Sequence, residues 1–246
     1  MPTVVTEVDP QLPTVTAPTS AASTAFDPAA SPLAELERQV SVYRESGVAA
    51  LLGLDATGLD ALVAPLRSLV EEEGETFAVD PARPDDEVPF VLVLQVPDVN
   101  DAVPAMRRGD RLGVSVVDRA EMATYRPVAG VEVPGSTAYL LTGVDVGSEF
   151  CSVPPERALA VVRERGRTPL TIAEGVALAT VRPDRLRPGR CFSLMGSRAG
   201  NQRVPAVWIS ERRAKLGWCW DRNPHTWLGA ASAARRVGAT SASGGS

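Results

Sequence analysis

The spacing of apolar residues changes along the chain, and each change marks an expected element. Leu33, Leu36, Val40 and Tyr43 recur on one helix face, with Ser31 as cap, Pro32 in the first position and Gly47 as stop. A second helix is predicted from about Thr57 to Glu72, with Leu59, Leu62, Val63, Leu66 and Val70 facing inward. Pro65 lies inside it and lacks an N–H, so a kink or two short helices are expected. A loop, DPARPDDE, then leads to VPFVLVLQV (88–96), whose β-branched and aromatic run reads as a buried strand.

Short strands and helices alternate through the middle. LGVSVV (112–117), VAGVEV (128–133) and TAYLLTGVDV (137–146) read as strands. PPERALAVVRERG (154–166) carries proline at a helix start and glycine past its end. Thr171 and Glu174 have the spacing of a capping box that opens the helix TIAEGVALAT. Two short helices in succession suggest a helix-turn-helix, but no basic recognition face follows Thr171.

In the C-terminal third the pattern returns to strands: CFSLMG (191–196), VPAVWIS (204–210) and LGWCWD (216–221). The short connections SRAGNQR and ERRAK predict an antiparallel meander. Asn223 then reads as a helix cap and Pro224 as the first helical residue, so the meander is expected to end in a helix through HTWLGAASAARR. The fold class is therefore α+β, with N-terminal helices and a mixed or largely antiparallel sheet. Residues 1–31, rich in Thr, Ala and Pro without apolar period, and 238–246 are expected to be disordered tails around a single α+β domain over 32–237.

Composition narrows the class. The chain has 246 residues, 44% of them hydrophobic, and a net charge of −5. It has no uninterrupted apolar run of the ~18 residues that a membrane span requires, and no secretory leader pattern at its N-terminus. Its three cysteines are odd in number and scattered, which suits a reducing compartment; a cytoplasmic protein is expected. Lys215 is the only lysine among 25 basic residues, a compositional bias that makes arginine abundance uninformative about nucleic acid. Arginine placement says more. Residues 31–100 hold 14 acidic and 4 basic side chains, whereas 181–222 hold 10 basic and 3 acidic. That polarity predicts either pairing between the two parts or an anionic partner for the C-terminal third. Nucleic acid is not expected, because the whole chain is acidic and its aromatics are not interleaved along a basic stripe.

Candidate chemistry gathers at GWCWDRNPHTWLG, which holds three of the four tryptophans and the only histidine. Strand alternation puts Trp218 and Trp220 on one face and Cys219 and Asp221 on the other. His225 is expected in a helix's first turn, where the dipole disfavours imidazolium. His225, Cys219 and Asp221 are the catalytic candidates, with Cys191, Ser193 and Ser197 as further nucleophile candidates. MGSRAG departs from a G-x-S-x-G elbow, so a hydrolase of that type is not supported. Cys151, Cys191, Cys219 and His225 make up the whole soft-ligand inventory and contain no C-x-x-C, so no metal site is expected. The loop GSRAGNQR offers Arg198, Asn201 and Arg203 for an anionic group, beside an indole wall of Trp218 or Trp220 and an orienting Asn223.

CFSLMGSRAGNQRVPAVWIS (191–210), LGWCWDRNPHTWLGAAS (216–232) and GRTPLTIAEGVAL (166–178) resemble an uncharacterised actinobacterial family classed as a domain of unknown function. The resemblance spans most of residues 32–236 and implies no activity. Two functions are therefore expected from the residues themselves. One is a small-anion site in the C-terminal third. The other is a non-enzymatic interaction module, in which the acidic N-terminal helices meet a protein and the Trp-rich run is core.

Overall fold

The computed structural model describes residues 25–78 and 85–238. The remainder of the expected tails, 1–24 and 239–246, and most of the DPARPDDE loop lie outside the described residues. Phe26, in the N-terminal segment, packs under the guanidinium of Arg182 at 3.6 Å.

In chain order the elements are α1 (Pro32–Ser46), α2 (Ala56–Glu72), β1 (Glu87–Leu94), α3 (Val99–Ala102), β2 (Val114–Ser115), α4 (Arg119–Met122), β3 (Arg126–Pro127), β4 (Ala138–Asp145), α5 (Pro155–Glu164) and β5 (Thr168–Pro169). They continue as α6 (Ile172–Val181), β6 (Cys191–Ser193), β7 (Ser197–Arg198), β8 (Arg203–Ser210), β9 (Arg213–Trp220), β10 (Leu228–Ala230), β11 (Ser232–Ala233) and β12 (Arg235–Gly238). The fold is α+β, as the sequence pattern predicts.

Local signals set the helix ends. The Ser31 hydroxyl accepts from the Ala34 N–H, and Gly47 closes α1 in the left-handed conformation. The Thr171–Glu174 capping box of α6 is formed on both sides. α2 runs as one helix through Pro65, against the expected kink or break. Pro65 and Ala61 are both exposed, so the carbonyl that the missing N–H leaves without a donor lies on the solvent side of the helix. α6 is buried at every residue but Ala173, which removes the recognition face that a helix-turn-helix requires.

One sheet has the order β1-β4-β11-β5, with β12 also on β4. β1 is its edge strand, and α1 covers the open edge. Gln39 donates its side-chain amide to the Phe90 carbonyl (3.1 Å) and accepts from the Leu92 N–H (2.7 Å); the Tyr43 hydroxyl donates to the Leu92 carbonyl (2.6 Å). Fully buried side chains thus stand in for a neighbouring strand and block edge-to-edge pairing. The second sheet has the order β10-β6-β8-β9-β2. β6, β8 and β9 form the expected antiparallel meander, flanked by parallel β10 and β2. β3 and β7 form a separate antiparallel pair.

Three further expectations fail. LGVSVV contributes only Val114–Ser115, and VAGVEV is turn and irregular chain. The predicted C-terminal helix does not form: HTWLGAASAARR becomes a loop followed by β10, β11 and β12. Its cap and proline signals are local, but tertiary pairing overrides them. Leu228–Ala230 pair with Cys191–Ser193, and Ser232 and Arg235–Gly238 pair along β4. The crossing is so close that a Cβ on Gly229 would stand 2.4 Å from the Gly147 carbonyl oxygen.

Candidate functional site

The β8–β9 hairpin places Arg203 opposite Trp220 and Pro205 opposite Trp218. Period-two alternation therefore sets Arg203, Trp218 and Trp220 on one face, while Cys219, opposite Val204, points to the other. The three side chains form a ladder. The Arg203 guanidinium stacks 4.0 Å from the Trp218 ring centroid, and Trp218 meets Trp220 edge to face at 5.1 Å. Trp220 is 45% exposed, the only exposed large hydrophobic side chain among the described residues.

Two residues that the sequence did not mark complete this face. The β3–β7 pairing carries the 119–127 segment to the hairpin. Glu121 then receives Arg203 Nη1 at 2.7 Å and the Tyr125 hydroxyl at 3.3 Å. Burial, reinforced by the Glu121 charge, pushes the Tyr125 hydroxyl well above its ordinary range, so it remains a donor. The contact between Glu121 and Arg203 spans 82 positions, and no local pattern announces it.

The other candidates fall into separate surroundings. Arg198 donates to Asp221 (3.0 Å) and to the Met195 and Ser197 carbonyls, which makes it a brace for the loop. Burial lowers the Arg198 pKa against the opposing pull of Asp221. Asn201 accepts from the Arg203 backbone N–H at 2.9 Å and shapes the turn. Asn223 is exposed. His225 lies in the 221–227 crossover loop rather than in the first turn of a helix. Its carbonyl accepts from Ser152, and its ring sits 5.2 Å from Trp227. Among the described residues no hydrogen bond joins His225 to Cys219, Asp221 or Asn223.

The nucleophile candidates Cys191, Ser193, Ser197 and Cys219 are all buried. Burial pushes the Cys219 thiol up to about 12, against the opposing pull of Arg198, and the same cause raises Cys151 and Cys191. The Ser193 hydroxyl donates to the Gly229 carbonyl (2.9 Å) and the Ser197 hydroxyl accepts from Ile172 (3.1 Å), so both link backbone segments. We expect Cys219 in the native protein at pH 8 to react with iodoacetamide at least about tenfold more slowly than in guanidinium chloride. Equal rates, read by mass spectrometry, would overturn the buried-thiol assignment.

The fourth tryptophan is structural. Trp208 packs over Gly217, where a Cβ would come within 2.3 Å of the indole.

A family profile described as a family of unknown function, DUF5701, matches residues 42–239. The chain belongs to this family. No curated protein and no solved structure matches it. The match spans both five-stranded sheets, α2 through α6 and the whole of the ladder, so the family's shared segment includes the candidate site.

Proposed function

We propose that this DUF5701 protein is a non-catalytic binding protein whose ligand lies against the Arg203–Trp218–Trp220 ladder. The ligand is a small molecule with a flat apolar part and a carboxylate or phosphate group. The exposed Trp220 carries this reading. It is held beside Trp218 on a paired hairpin, and the other large apolar side chains among the described residues are buried or half-buried. Rigid indoles provide contact area at low entropic cost. Arg203 engages Glu121 through Nη1, which leaves Nε and Nη2 as donors for an anion. Arg198 and Asp221 act as braces in this reading, and Asn223 and His225 are rim positions rather than catalysts. We further infer a cytoplasmic protein with one domain over 32–237, on the grounds of its three free cysteines. An actinobacterial source and a signature role for LGWCWDRNPHTWLG belong to the same proposal.

A second reading, contact with a protein partner, is favoured by the acidic end of α2. There Glu71, Glu72 and Glu75 are exposed and form no ion pair among the described residues.

Tryptophan fluorescence titrated with aromatic carboxylates and nucleotides separates the two. Saturable quenching is expected, weakened at least about tenfold in Trp220→Ala with the melting temperature unchanged. Absence of any quenching ligand, or full binding by the variant, would reject the ladder as a small-molecule site.

A further inference from the structure

The opposite end of the same hairpin carries a different surface. β2 and β9 pair in parallel, Val114 beside Lys215, so the turns that precede them lie side by side. One is the tight turn in which Arg108 and Arg111 exchange backbone hydrogen bonds of 3.0 and 3.2 Å across Gly109 and Asp110. The other is the β8–β9 turn, whose ends Ser210 and Arg213 pair across Glu211 and Arg212. Between them lies an open depression of about 770 Å³, lined by Arg107, Arg108, Arg111, Arg212, Asp110 and Pro183. That volume is in the range of small-molecule sites.

Three observations bear on this cluster. Most other described arginines close ion pairs with carboxylates, but these four form none among the described residues. Asp110 is the one carboxylate residue on the lining, beside four arginines. Arg107, which lines both this depression and a neighbouring cavity, has its Nε buried without a hydrogen-bond partner. The turn geometry adds a fourth. Glu211 and Arg212 have φ of 53° and 64°, the left-handed region that hairpins of this length usually fill with Asn and Gly. A guanidinium is thus held at a position where glycine would relieve strain, a pattern that recurs at binding sites.

We propose that this depression binds a small ligand bearing several phosphate charges. Guanidinium forks match phosphate oxygens bidentately, and a multiply charged anion relieves the mutual repulsion of four like charges more than a single phosphate does. The site is separate from the indole ladder and does not depend on it.

Isothermal titration with inorganic tripolyphosphate at low ionic strength tests the assignment. Saturable binding of one tripolyphosphate per chain is expected, with orthophosphate at least about tenfold weaker. Arg108→Ala and Arg212→Gly should each weaken tripolyphosphate binding about tenfold or more, while Arg157→Ala, at an exposed arginine on α5 outside the depression, should leave it unchanged. Arg212→Gly separates binding from folding, because glycine suits the turn and its melting temperature should be no lower than that of the parent. The proposal is overturned by non-saturable binding, by equal weakening in Arg157→Ala, or by full binding in Arg212→Gly. It is also overturned by a polyribonucleotide that binds and that tripolyphosphate fails to displace.

Discussion

Glu174→Ala should lower stability by about 4 kcal/mol, read as a fall in the denaturant midpoint with an unchanged slope. Glu174 is fully buried, and its carboxylate is a hub for four elements. Oε1 accepts from Arg236 Nε (2.5 Å) and from the Tyr139 hydroxyl (2.8 Å); Oε2 accepts from Arg236 Nη2 (2.8 Å) and the Thr171 N–H (2.7 Å). Arg236 also reaches the Thr168 hydroxyl and the Pro169 carbonyl. α6, β12, β4 and β5 are tied together through this one group. Alanine would strand a buried guanidinium, a buried phenol and the N-cap amide of Thr171 together, and the lost cap alone is worth about 1 kcal/mol. Most of the cost is the uncompensated charge. The double variant Glu174→Leu with Arg236→Met should therefore recover at least about half of the loss. If Glu174→Ala costs less than about 1 kcal/mol, or if the double variant is no better, the hub does not hold the sheet as described.

Gly147→Ala should cost at least about 3 kcal/mol. Two effects coincide there. Gly147 has φ +68°, where an L side chain costs roughly 1–2 kcal/mol. In addition, an added Cβ would lie 2.1 Å from the Ala230 carbonyl oxygen, so the backbone of β10 or of the turn must move. This is where the β4 exit crosses β10, joined by a hydrogen bond from the Ala230 N–H to the Gly147 carbonyl (3.2 Å). Gly166→Ala separates the two contributions. It shares φ +68° but has nothing within 4 Å of the added carbon, so it should cost only about 1 kcal/mol. Equal losses in the two variants, measured by thermal unfolding, would show that crowding at the crossing is unimportant.

The charge polarity between the acidic 31–100 segment and the basic C-terminal third resolves only in part into pairing between them. Asp86 binds Arg187 and lies 3.7 Å from Arg190, but Arg182, Arg198 and Lys215 find carboxylates within their own third. Arg203 and Arg222 take Glu121 and Glu156 from the middle of the chain. Arg212 takes none, which is why the basic surplus survives as a surface feature instead of being cancelled inside the fold.

What the linear chain determined by itself were the interactions that close over a few residues. The α1 cap and glycine stop, the Thr171–Glu174 box and the β6–β8–β9 meander all follow from neighbours in sequence, and so does the placing of Trp218 and Trp220 on one face. Tertiary structure decided the rest wherever a distant partner outweighed a local preference. Residues after Asn223 have helix-start signals worth about 1 kcal/mol, yet they form strands because β4 and β6 offer buried backbone groups that must be paired. Glu121 beneath Arg203, and the arginines of two remote turns around one depression, are long-range contacts of the same kind. A residue's local period shows which side of its own element it occupies, but not what the rest of the chain brings to that side.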